Sequence, residues 1–364
     1  SSSRGLGDVY KRQIVRARGE IRLPGGAQVR VLAAPASSAP YAYQVGPAGD
    51  PDDSTMTIDV TVPLAQGAGA WGMLTVLHPA FLTAAQGLLS GELRDLDVIW
   101  SPGNGPDSSF DPNPGGAARI TVAGGVAGDP TSNRDEWDEA KVVRLMGEYL
   151  LADHFLDVAP EGLATDGSLV PSAAWREGFL DFWACIGRGD RLYWDTEGEG
   201  TSGRVVRFFD IESFFDPSLP PITPDDPNVY QTDEVTGIAS RFTVAEVLWD
   251  IHEEPPSTDD AALDFPVFLT LRLLESAQPG QQYPYLVTLI EAYDKDNSIS
   301  KVKMDNLLRE PENQNIPLLA EPTSTRVLWP RWFSPGGVAD AQVGIGYLGQ
   351  LSGTVDTLTP MPPN

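Results

Sequence analysis

The chain has 364 residues, 41% of them hydrophobic, and carries 51 Asp and Glu against 25 Lys and Arg, a formal net charge of −26. That length fits two or three domains and that apolar content fills a sizeable core, while so negative a surface repels phosphate backbones and argues against nucleic acid as a partner. No run of about 18 apolar residues occurs, so no membrane span is expected. The single cysteine, Cys185, allows no intrachain disulfide and sits in an apolar helical run, where it reads as a small core residue.

In chain order, residues 3–13 (Ser-Arg-Gly-Leu-Gly-Asp-Val-Tyr-Lys-Arg-Gln) resemble a translated sequencing adapter. Residues 1–13 are therefore set aside as an artefact, and the natural part of an environmental-DNA fragment is expected from Ile14. Residues 14–66 read as β-rich: 14–23 and 28–32 partly alternate, and 56–62 alternates cleanly between Gly, Pro, Ser and Asp clusters. After the Gly67-Ala68-Gly69 hinge, Met73, Leu74, Leu77, Phe81, Ala84, Ala85 and Leu88 recur at helical spacing and predict a helix over 71–90. Strands follow at 96–100 and 118–122, and then helices at 137–156 and at 173–187, the latter started by Pro171-Ser172. A Pro- and Asp-rich loop covers 216–236. Helices are expected at 242–252, 264–276, 283–293 and 301–309, before a Gly-rich, β-like stretch over 321–364.

Three segments, in order, carry a resemblance. Asp135-Glu136-Trp137-Asp138 leads into Val142-Val143-Arg144-Leu145-Met146-Gly147-Glu148-Tyr149. Trp175-Arg176-Glu177-Gly178-Phe179 precedes Gly189-Asp190-Arg191-Leu192-Tyr193-Trp194-Asp195-Thr196, and Phe242 to Ile251 forms the third segment. Together they resemble the secreted bacterial zinc metallopeptidases of the zincin type (gluzincins), whose H-E-x-x-H helix often reads V-I-x-H-E-F-G-H-Y. The resemblance covers roughly residues 67–315. It places Arg144 at the first zinc-binding His, Leu145 at the general-base Glu, Glu148 at the second His and Glu177 at the third ligand.

Those departures bear on chemistry. A catalytic zinc takes three protein ligands and an open position for water, and the Glu of the motif activates that water. A guanidinium has no lone pair to donate, and Leu145 cannot accept a proton. No catalytic residue is therefore expected, and no cofactor. Arg144 and Glu148 share a helix face at i,i+4, and in a zincin fold Glu177 approaches the same point. Arg144 is expected to stand in for zinc, bridging Glu148 and Glu177 in a buried pair, because α-helical neighbours Val142, Val143, Leu145, Met146, Tyr149, Leu150, Leu151 and Phe155 make the helix apolar on most of its circumference. The alternative is a shifted metal set, Glu148, His154 and Glu177, holding zinc in an active peptidase.

Other features carry blander readings. His154 reads as a surface or helix-end residue, His78 as structural, and His252 as a helix-end histidine whose partial charge suits the dipole. Asp294 to Asp305 begins like a calcium-binding loop, but Ile299 stands where that loop needs Gly and Asp305 where it needs Glu, so a polar turn is preferred. The acidic run 223–227 could hold a calcium, and a solvated loop explains it equally well. The expectation is an α+β zincin-like domain at 67–315, with a helical active-site core and a small sheet. It is flanked by β-rich segments at 14–66 and 316–364, the latter the start of a truncated domain. The chain is expected outside the cell or at its surface, as an inactive peptidase homologue serving as scaffold or as a module for a peptide or protein ligand.

Overall fold

A computed structural model describes residues 15–23, 26–45, 61–63, 67–87, 93–113, 116–155, 169, 171–198, 203–212, 237–253, 265–275, 286, 289–290, 292–293 and 301–308. Residues 56–60 of the expected strand at 56–62, the stretch 321–364, the acidic loop and residues 294–300 lie outside them; Thr61 and Val62 are described and are not strand. The fold is mixed α+β with small sheets. The chain divides into two compact units whose segments alternate along the sequence: residues 1–157, 180–232 and 267–276 form one, and 158–179, 233–266 and 277–364 the other.

The first unit is built on a five-stranded sheet of order β2-β3-β5-β7-β6, from Glu20–Arg22, Gln28–Leu32, Leu96–Ile99, Ala118–Thr121 and Ser109–Asp111. β3, β5 and β7 run parallel, and the outer strands β2 and β6 run antiparallel to them. Every residue of β5 is buried, as befits a parallel strand covered on both faces. Because β3 pairs with β5, the 14–66 segment does not stand apart; part of it is built into the same sheet as residues of the 67–315 region. Gly19 breaks the expected 14–23 run into β1 (Val15–Arg18) and β2, and β1 pairs instead with β4 (Ala42–Val45).

Helix α1 (Ala68–Gly87) buries Met73, Leu74, Leu77, Phe81 and Ala84 of the stripe read from the sequence; Ala85 is half-buried, and Leu88 lies outside the described residues. It packs on α2 (Glu139–Asp153) and α5 (Val267–Glu275). α2 is buried along Val142, Val143, Leu145, Met146, Tyr149, Leu150 and Leu151, so only a narrow face is left for its charged side chains. The second half of α3 (Pro171–Ile186), from Leu180 onward, comes close against it. A Cβ on Gly147 would lie 2.9 Å from Leu180 Cδ2, which gives the motif glycine a steric reason. Two antiparallel hairpins complete the unit: β8 with β9 (Gly124–Val126, Asp129–Arg134), and β10 with β11 (Leu192–Glu197, Arg204–Asp210). Cys185 is fully buried, and burial pushes its thiol far up.

The second unit contains the first half of α3, α4 (Arg241–His252) and α6 (Lys301–Leu307). A Cβ on Gly178 would stand 2.6 Å from the Arg241 carbonyl oxygen, so only glycine permits this approach of α3 to α4. Ser240 caps α4, its hydroxyl accepting from the amides of Phe242 at 3.1 Å and Thr243 at 3.0 Å. His252 differs from the expectation of a charged helix end. It is buried, desolvation pushes it down to about 4, and its Nδ1 donates to the Phe265 carbonyl. The imidazole is therefore neutral at physiological pH.

Candidate functional site

Arg144 and Glu148 project from the narrow polar face of α2, with Nη1 of Arg144 3.8 Å from Glu148 Oε1. A second carboxylate, not read from the sequence as a partner, holds the guanidinium more closely. Asp181 of α3 is completely buried and accepts from Arg144 Nε at 3.2 Å and from Arg207 Nη2 at 2.7 Å. Arg207 comes from β11, and its guanidinium carbon lies 4.6 Å from the centroid of the Tyr193 ring, a cation–π arrangement. The two arginine side chains are each only 13% exposed. Arg144 is thus held by charge-assisted bonds in a buried setting, with carboxylates on two sides.

Glu177 lies on the part of α3 assigned to the second unit, 2.9 Å from Arg176 and 4.0 Å from Arg241. His154 caps the C-terminal end of α2, its ring edge-on to Tyr149 at 5.8 Å. Leu145 is buried. At the positions expected from the resemblance, the residues do not fit zinc: the first, Arg144, is a guanidinium already bonded to a buried carboxylate, and the expected general-base position, Leu145, is aliphatic. Asp181 was visible as the one acid in the apolar run 179–186, four residues and one turn beyond Glu177.

Metal-capable side chains do converge elsewhere in the first unit. Among the described residues, one group of three could share an ion: Asp135, Asp138 and Asp195, whose ligand atoms lie within 4.8 Å of one another. Asp135 opens the 3-10 turn that leads into α2 and Asp138 follows it, while Asp195 sits on the buried face of β10. Asp138 accepts from the Thr196 amide at 3.0 Å and the Thr196 hydroxyl at 2.6 Å. Asp135 Oδ2 accepts from the Ser108 hydroxyl, which itself accepts from the Ala123 amide at 2.8 Å. Lys141 Nζ stands 3.3 Å from Asp195 Oδ2.

The electrostatics follow from burial and crowding. Asp135 is pushed up to about 6, mainly by desolvation, with the Asp195 charge adding to it and Ser108, Lys141 and Asn133 offsetting part. Asp138 is pushed up to about 7, again mainly by desolvation and then by the Asp135 and Asp195 charges, against the Thr196 bonds that lower it. The acidic lead-in and the Asp-Thr pair stood out in the sequence as motifs; their meeting point did not. No known protein family, curated protein or solved structure matches this chain.

Proposed function

We propose that the chain is a catalytically inactive homologue of a secreted zinc metallopeptidase, with a zincin-like domain that acts outside the cell or at its surface. It serves as a scaffold or as a module that binds a peptide or protein. One observation carries this reading: at the position of the first zinc ligand stands Arg144, bonded to the buried carboxylate of Asp181. A cation fixed there takes over the neutralising role of a metal, and it supplies neither a Lewis acid nor an activated water.

The test is a metal count on the full chain, expressed with zinc and dialysed free of loosely held ions. Elemental mass spectrometry is expected to find well under one zinc per chain, and casein is expected to remain uncut. About one retained zinc per chain, together with chelator-sensitive cleavage, would overturn the proposal in favour of an active peptidase.

A further inference from the structure

We infer that the outer face of α1 is the contact surface of a homodimer, in which two copies of this chain pair their α1 helices antiparallel about a two-fold axis. A helix on a protein surface usually turns charged side chains to water on the side opposite its core stripe. Ala68–Gly87 has no Asp, Glu, Lys or Arg among its 20 residues, in a chain whose net charge is −26. That outer side is built for something other than water.

Away from the core stripe, Ala68, Trp71, Thr75, His78, Leu82 and Ala85 follow one another at alternating intervals of three and four residues, and each is exposed or half-buried. This is the spacing of a helix–helix seam, which keeps one line of side chains toward a partner helix. The Thr75 hydroxyl donates to the Trp71 carbonyl at 2.9 Å, and the Thr83 hydroxyl, beside the seam, to the Pro79 carbonyl at 3.1 Å. Both hydroxyls are satisfied within the helix and need no water. Trp137, 49% exposed, lies against Gly72 next to the seam, its Cζ3 3.1 Å from where a Cβ on that glycine would stand. Contiguous exposed apolar surface of this kind marks an interaction site.

Symmetry and charge select the occupant. With the two-fold axis level with the Val76–Leu77 peptide, antiparallel pairing sets Ala68 opposite Ala85, Trp71 opposite Leu82 and Thr75 opposite His78 of the second copy. The same contacts repeat across the axis, as a two-fold interface requires. Small side chains meet at the ends, the indole meets an aliphatic chain, and a polar pair sits nearest the axis. Pro79 has no N–H to offer the Thr75 carbonyl, so that acceptor stays on the outer face. An imidazole N–H of His78 from the second copy is placed to donate to it. Two chains of charge −26 repel one another over most of their surface, and the uncharged helix is where they can approach. A basic partner would be drawn to the acidic surface instead. The inference is independent of whether the domain cleaves peptides.

The test is sedimentation equilibrium of the full chain at concentrations from about 1 to about 200 μM. A monomer–dimer equilibrium is expected, and it should tighten as KCl rises from about 0.05 to about 0.5 M, because salt screens the like charges and no ion pair is lost. Thr75→Glu/His78→Glu, at two exposed positions, puts carboxylates from both copies around the axis and should weaken the dimer at least tenfold. Val302→Glu, at a 68% exposed apolar residue of α6, should leave it unchanged. Should the double variant fold poorly by circular dichroism, His78→Cys decides. A short bis-maleimide should join it to a second copy, since Cys185 is fully buried; no cross-linked dimer overturns the inference. A monomer at every concentration and salt also overturns it and leaves the face to a different partner. So does a dimer that salt weakens, that the folded double variant leaves intact, or that Val302→Glu weakens equally.

Discussion

Replacing Asp181 by Asn keeps the volume of the side chain and removes its charge. Asp181 has no exposed surface, and its two oxygens each accept from a different arginine, Arg144 and Arg207, themselves 13% exposed. An amide can serve one of them; its NH2 end then faces the other guanidinium, donor against donor. Two nearly buried cations also lose the charge they share. Removing one partner of a buried ion pair costs about 3–5 kcal/mol, and for a unit of this size that lowers the melting temperature by about 6–20 °C. Arg144→Met is milder, because Asp181 keeps Arg207: the loss of one charged hydrogen bond is about 1.5–3 kcal/mol. The assay is urea unfolding followed by far-ultraviolet circular dichroism and tryptophan fluorescence, with wild type, both single variants and the double variant forming a cycle. A cost below about 1 kcal/mol for Asp181→Asn, the range of solvated pairs, would refute the reading of this network as a buried internal tie.

The protein should become less stable as the pH rises from about 4 to about 7. Asp138 is held at about 7 and Asp135 at about 6 when folded, above the ordinary aspartate value, so folding takes up protons in that window; the slope is about 1.4 kcal/mol per pH unit for each group. Asp138→Asn should flatten that fall, which denaturant titrations at pH 4, 5.5 and 7 measure directly. Gly178→Ala should destabilise more than Gly147→Ala, because the first meets the Arg241 carbonyl and the second the end of the Leu180 side chain; overpacking costs of about 1–3 kcal/mol are expected, read from melting curves. Ser240→Ala removes the cap of α4 and should cost about 0.5–2 kcal/mol by denaturant titration. Cys185, buried with its thiol pushed up, should resist maleimide in native buffer and react in urea, as mass spectrometry will show.

The helices were legible in the sequence because their apolar spacing is long and regular. The 71–90 and 173–187 expectations became Ala68–Gly87 and Pro171–Ile186, and the 242–252 helix moved by one residue. The strands expected at 28–32, 96–100 and 118–122 also formed, but several other short strands were not legible. β4, β6, β8 and β9 are three to six residues long and include Ser, Asp, Gly or Gln, so their strand character comes from partners elsewhere in the chain rather than from local pattern. β10 was read only as a motif, though Tyr193 and Asp195 alternate inward on it. The Arg144–Glu148 pair was legible because i,i+4 spacing alone fixes it. Asp181 and the aspartate cluster were not, because they depend on how closely α2 meets α3 at Gly147 and on where β10 lies beside the turn before α2.

The two charged clusters of the first unit pose opposite problems, and that difference separates their roles. Around Asp181, two guanidiniums and the carboxylates of Asp181 and Glu148 balance one another in charge, with bonds in both directions. Nothing there requires an ion, and a small cation would have to compete with two arginines already in place. Around Asp195, three carboxylates lie together with the Lys141 ammonium 3.3 Å from Asp195. The first cluster pairs its charges within the chain, whereas in the second burial and crowding raise the proton affinity of Asp135 and Asp138.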